Sequence, residues 1–176
     1  MAPMAKSQEE VDVELEVMQR VLDLAKKLAR DKKGALFVII PKELTAGTYE
    51  CQYPQLVFGG SLLSKGMDVV LEKLAMLDGA VYLTPQGDVI AYGARILKTS
   101  TLHGFGTRHA AAKGITEYNE KVTAVLVSEE SGWIKVFQKG NIALETDAIA
   151  VSPSIMKKLA SYPVSYTHLR AHETGR

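Results

Sequence analysis

Cysteine is nearly absent from this sequence: Cys51 is the one thiol in 176 residues. That excludes an intramolecular disulfide framework and a multi-cysteine zinc site, and it fits a reducing compartment. An excess of either charge is missing too. Lys and Arg number 21 against 20 Asp and Glu, a formal net charge of +1. Bulk electrostatics therefore give no support to nucleic-acid or anionic-membrane binding, and any anion site has to be local. Long hydrophobic runs are also lacking. The longest, ALFVII at 35–40, is far too short to cross a bilayer. The first twenty residues are acidic and carry no apolar stretch of the kind a signal peptide needs. A cytoplasmic protein with no membrane or nucleic-acid partner is expected.

What is present is a 47% hydrophobic composition, enough at this length to bury a core within one domain. Residues 8–31 read as an amphipathic helix, with Val11, Leu15, Met18, Val21, Leu22, Leu24, Ala25 and Leu28 recurring at spacings of three and four. Its apolar face is expected to cover the domain's own sheet rather than a second copy. GALFVII (34–40) follows as a wholly apolar strand stopped by Pro41, and 41–66 is turn-rich. A second helix is predicted over 66–77. AVYLT (80–84) and DVIAYG (88–93), joined by PQG, form a hairpin. A helix is predicted from Arg108 to Tyr118, then strands at 122–127 and 133–138, the latter half-exposed by its alternation, and a turn into NIAL. Ser152 and Pro153 suit the start of a last short helix to 160. The element order predicts an α+β fold, a central mixed β-sheet flanked by helices. The domain is expected to occupy 1–160. SYPVSYTHLRAHETGR has no core face, and residues 161–176 read as a disordered or vector-derived tail despite the His168 and His172 spacing.

Three places carry chemistry. In GFGTRHAAAKG (104–114), Thr107 suits an N-cap for a helix starting at Arg108. Unpaired backbone N–H groups and the positive end of the helix dipole would then gather at one spot. Arg108 adds a forked cation suited to phosphate, His109 an oxygen donor or metal ligand, and Gly104 and Gly106 a backbone open to close approach. Together they describe a phosphate cradle, although a capped helix with a solvated arginine would look the same. Asp78, before Gly79 and Ala80, is poorly placed for a helix C-terminus, which a metal-binding or hydroxyl-polarising role would explain; Asp-Gly is also an ordinary turn pair. Ser128 and Glu129 follow a wholly apolar strand and could serve phosphate and a divalent cation, or form a solvated acidic turn.

DGAV at 78–81, GTRHAAA at 106–112 and VSEESGWIKV at 127–136, in this order and spacing, resemble the diadenylate cyclase domain. The resemblance spans about 8–150 and implies that fold. It also implies an enzyme, a nucleotidyltransferase that condenses two ATP molecules into cyclic di-AMP with release of two pyrophosphates, using Mg²⁺ or Mn²⁺. Each subunit would hold one ATP, and self-association would bring two sites face to face. Carried over by motif, Asp78 would activate the ribose 3′-hydroxyl or hold the metal. Thr107 and Arg108 would grip the triphosphate beside Gly106, and His109 would contact phosphate or metal. Ser128 and Glu129 would complete the phosphate and metal shell, with Gly79, Ala80, Gly93 and Ile96 around the adenine. The metal set implied is Asp78, His109 and Glu129. One position departs: Ala110 stands where the family carries arginine. The missing cation would either weaken ATP binding or be replaced by Lys113, one turn along the helix, or by Arg95. Transmembrane helices and the DNA-binding helical region of other relatives are not found, so either a stand-alone soluble type or a cyclase domain with a different regulatory arrangement is expected. Two further readings stay open: a weakly catalytic ATP-binding module, and a metal-dependent nucleotide phosphohydrolase.

Overall fold

The computed structural model describes residues 5–56, 60–101 and 103–147. The helix expected at 153–160 and the tail from 161 lie outside the described residues. Helix α1 spans Gln8–Arg30. Ser7 caps it by accepting from the Glu10 N–H, and Glu9 and Glu10 at the start with Lys27 and Arg30 at the end oppose the helix dipole. Its buried stripe, Val17, Val21, Leu24 and Leu28, keeps helical spacing. Strand β1 (Ala35–Ile39) follows, then β2 (Tyr49–Cys51), α2 (Met67–Ala75), β3 (Ala80–Leu83) and β4 (Val89–Ile96). Helix α3 (Thr107–Tyr118) leads into β5 (Thr123–Val127), β6 (Ile134–Gln138) and β7 (Asn141–Thr146).

The seven strands form one sheet in the order β2-β4-β3-β1-β5-β6-β7. β1 and β3 run parallel, and the other pairings are antiparallel, so the sheet is mixed. Alternation along β1 sends Phe37 to one face and Leu36 and Val38 to the other. Phe37 joins Val81, Val125 and Val136 under α1 and α2. Leu36 and Val38 join Tyr82, Leu126 and Phe137 with Ala112 and Ile115 of α3. The fold class expected from the sequence is the one observed, and α1 covers its own sheet.

Two strands differ from what the sequence pattern predicts. β2 lies in the turn-rich segment to which the sequence pattern assigns no element, because three residues carry too little pattern and its partner β4 is distant in sequence. β6 is buried along its whole length rather than half-exposed, since it lies between β5 and β7. Its lysine, Lys135, is buried with it.

Candidate active site at one end of the sheet

Register brings the three chemistry-bearing segments to one end of the sheet. β1 and β3 are parallel, so Gly34 before β1 and Asp78–Gly79 before β3 lie at the same end. β5 is antiparallel to β1 and puts Val127 opposite Ala35, so Ser128 and Glu129 leave the sheet there. β4 contributes Ala94 opposite Ala80, bringing Gly93 to the same corner. Gly79 and Ser128 border strands two places apart in the sheet, a span of about 10 Å.

Helix α3 delivers Arg108 to this end. The structure places the N-cap at Gly106, in extended backbone, with Thr107 as the first helical residue and no side-chain cap bond. Thr107 therefore does not cap the helix as expected; glycine serves there at little cost. The dipole and open N–H groups remain. Arg108 lies against Gly34: a Cβ on that glycine would fall 2.2 Å from Arg108 Nη1 and 3.2 Å from Glu129 Cβ. The guanidinium reaches Glu129 Oε2 at 3.5 Å. Ser128 closes the following turn, accepting from the Ser131 and Gly132 N–H groups through its hydroxyl and carbonyl oxygens.

His109, the next residue, points inward. Its Nε2 lies 3.0 Å from Lys135 Nζ, and its ring stacks on Phe105 at 4.5 Å between centroids and meets the edge of Phe137. Burial first, and the adjacent Lys135 ammonium second, push its pKa down to about 4, so the neutral ring accepts the lysine hydrogen bond.

The Asp78 corner is built differently. α2 ends at Ala75 with Met76 as its C-cap, so Asp78 stands beyond the helix and the dipole conflict inferred from sequence does not arise. Its carboxylate is exposed and carries no hydrogen bond or ion pair to another described side chain. The backbone beneath is fixed. Gly79 has φ +101°, and a Cβ there would meet the Gly93 carbonyl carbon at 2.6 Å. Gly93 has φ +57°, and the Tyr53 ring lies over it where a Cβ would stand. Gln55 holds the segment carrying Tyr53, donating to the Tyr92 carbonyl at 3.0 Å and accepting from its N–H at 3.1 Å. Gln52 Nε2 donates to the Asp78 carbonyl at 3.3 Å. Ala80 and Ile96, expected at the adenine, are buried in the α3-side core.

Among the described residues no three His, Cys, Asp or Glu side chains cluster to bind a metal. Asp78 and Glu129 are exposed oxygen donors, the kind that hold Mg²⁺ or Mn²⁺ together with substrate phosphates rather than in a protein cage. His109 does not fit the metal set expected for it, because its Nε2 is occupied by a cation. Neither substitute for the missing arginine at Ala110 is free: Lys113 pairs with Glu117 one turn along α3, and Arg95 pairs across strands with Glu50. Gly34, Phe105 and Lys135 are not marked as site residues by the sequence. Gly34 shows there only as a helix stop, and a lone lysine in WIKVFQ gives no sign of where its strand will sit.

Known proteins resemble this chain. A diadenylate cyclase of Methanocaldococcus jannaschii is 28% identical over 144 residues, covering 74% of this chain and 45% of the relative. A diadenylate cyclase of Haloferax volcanii is 27% identical over 154 residues, covering 81% of this chain and 55% of the relative. The chain thus spans about half the length of these relatives. Among solved structures, DacA from Staphylococcus aureus matches 83% of this chain and 94% of its own, with TM-score 0.55 and 23% identity. A hypothetical membrane spanning protein from Bacillus cereus matches 72% of this chain and 62% of its own, with TM-score 0.59 and 24% identity. These two likenesses show the fold. The DAC family model, described as DisA bacterial checkpoint controller nucleotide-binding, matches residues 23–142, from late α1 into β7 and across every segment of the site. The chain belongs to the DAC family.

Proposed function

We propose that this chain is a diadenylate cyclase: it binds one ATP at the open end of its sheet, and two copies join their nucleotides into cyclic di-AMP. One observation carries the reading. A cation on a helix N-terminus, two carboxylates and the uncovered backbone at Gly106 converge on one end of the sheet, across a span that suits a triphosphate. Phosphoryl transfer asks chiefly for alignment and charge neutralisation, and these groups supply both.

Arg108 and the N–H groups at Gly106 and Thr107 hold the triphosphate. Ser128 and Glu129 border it at the end of β5, and Asp78 accepts the proton of the ribose 3′-hydroxyl. Gly79 and Gly93, packed against each other and under Tyr53, fix the backbone beside the adenine. Glu129, together with the phosphates, would hold Mg²⁺ or Mn²⁺, and the ion would supply charge neutralisation at the phosphoryl oxygens. Each 3′-oxygen attacks the α-phosphate of the nucleotide on the facing copy; one P–O bond forms, the bond to pyrophosphate breaks, and two such steps close the ring. Nothing in this scheme requires a membrane or a nucleic acid, and ATP points to the cytoplasm.

The test is to incubate the purified chain with ATP and Mn²⁺ or Mg²⁺ and separate the products. Cyclic di-AMP with two equivalents of pyrophosphate is expected. ADP or AMP would make the chain a phosphohydrolase, and bound but unchanged ATP would make it a binding module; either result overturns the reading.

A further inference from the structure

Lys135 is a costly residue for its position. It lies in the strand next to β5, buried, and a buried ammonium carries a desolvation penalty unless its surroundings hold it. Its surroundings belong to the mouth of α3. The ammonium stands 3.0 Å from His109 Nε2 and 4.4 Å from the centre of the Phe105 ring. Its strand neighbour Glu145, directly opposite in register, is at 3.9 Å. Phe105 in turn stacks on His109. Lysine, aromatic ring and imidazole thus form one packed unit immediately behind Arg108, joining β6 to the loop and first turn of α3.

We infer that Lys135 is a positioning residue of the nucleotide site, whose ammonium donates into His109 Nε2, fixes that ring as its Nδ1–H form and anchors the first turn of α3. An ammonium can only donate, so Nε2 must accept and the remaining ring hydrogen sits on Nδ1. Turning the ring over would set a C–H against the ammonium, and the Nε2–H tautomer would set a second donor there, so both are disfavoured. Arg108 and His109 are consecutive residues of one turn, so holding the imidazole also holds the backbone from which the guanidinium reaches over Gly34. The same unit places a second positive charge behind the helix mouth, where Ala110 supplies none and Lys113 and Arg95 are engaged elsewhere. This rests on the cyclase reading for its effect on turnover, but not for its effect on His109.

The test is Lys135→Met in the full chain, with Lys135→Arg beside it. Methionine fills the volume and removes the donor. Two readouts are taken: kcat/KM for ATP, and the ¹⁵N–¹H correlation pattern of the His109 ring without metal, assigned with a His109→Gln control. Lys135→Met is expected to move the ring away from the pure Nδ1–H pattern and to lower kcat/KM by about ten- to a hundredfold, the effect of losing a charged buried hydrogen bond. Lys135→Arg is expected to restore the ring pattern and part of the rate. A Lys135→Met protein with the wild-type ring pattern and wild-type kcat/KM overturns the inference. Should that variant not fold, Lys135→Leu, which also removes the donor, replaces it: a shifted ring pattern with a lowered rate supports the inference, and wild-type behaviour in both overturns it. A wild-type chain that makes no cyclic di-AMP defeats the cyclase reading alone, and the ring pattern still decides the role of Lys135.

Discussion

The two corners of the site are prepared in opposite ways. At the α3 corner the side chains are already engaged: Arg108 with Glu129 over Gly34, and His109 with Lys135 and Phe105. At the Asp78 corner it is the backbone that is locked, through Gly79 against Gly93 and through the Gln55 clamp on Tyr92, while the carboxylate stands exposed. The difference separates two tasks. Groups that bind a highly charged ligand gain from being held in place before it arrives. A group that must take a proton gains from access to its substrate.

The largest effect should come from the exposed corner. Asp78→Asn removes the proton acceptor, keeps the size of the side chain and should lower cyclic di-AMP formation by about 10³-fold, within the range of general-base contributions; product analysis by chromatography checks it. Next, Arg108→Met should act on binding, raising KM for ATP by about 10- to 100-fold as charged hydrogen bonds are lost. Gly34→Ala reaches the same guanidinium from below. Its Cβ would collide with the flexible end of Arg108 rather than with backbone, so the melting temperature should hold while KM rises by about fivefold, the equivalent of roughly 1 kcal/mol.

A smaller effect concerns pH. His109 has its pKa lowered from 6.5 to about 4 in the folded chain, so the unfolded chain binds the extra proton first. Stability is then full above about pH 6.5 and falls as pH drops toward 4. Melting curves across that window should show the slope, and His109→Gln should flatten it. The smallest effects belong to the cations that the sequence places near the phosphates. Lys113→Ala and Arg95→Ala break exposed ion pairs, worth about 0.5 kcal/mol or less, and should leave KM within about twofold.

Much of this is legible where the signal is local. The helical stripe of α1, the apolar runs of β1 and β5 and the alanine-rich start of α3 each announce themselves within a dozen residues. Asp78, Arg108 and Glu129 can be picked out because each sits in a short motif at an element's end. What cannot be read is whatever register decides. β2 depends on β4, more than forty residues on, and the burial of β6 depends on strands either side. His109 shows the cost most plainly. Read alone it is a ligand for metal or phosphate, yet the orientation of its ring is set by a lysine 26 residues away. Gly34 is visible as a helix stop, and its second use, as the floor beneath a guanidinium, exists only once β1, β5 and α3 are assembled.

The division between a gripping corner and a reacting corner is tested most directly by the affinity of the Asp78→Asn protein for ATP. Equilibrium titration with ATP and Mg²⁺ should give a dissociation constant within about threefold of wild type, a change under 1 kcal/mol, in a protein that no longer makes cyclic di-AMP. A loss of affinity as large as that of Arg108→Met would show that Asp78 holds the nucleotide, and the two corners would not be doing separate work.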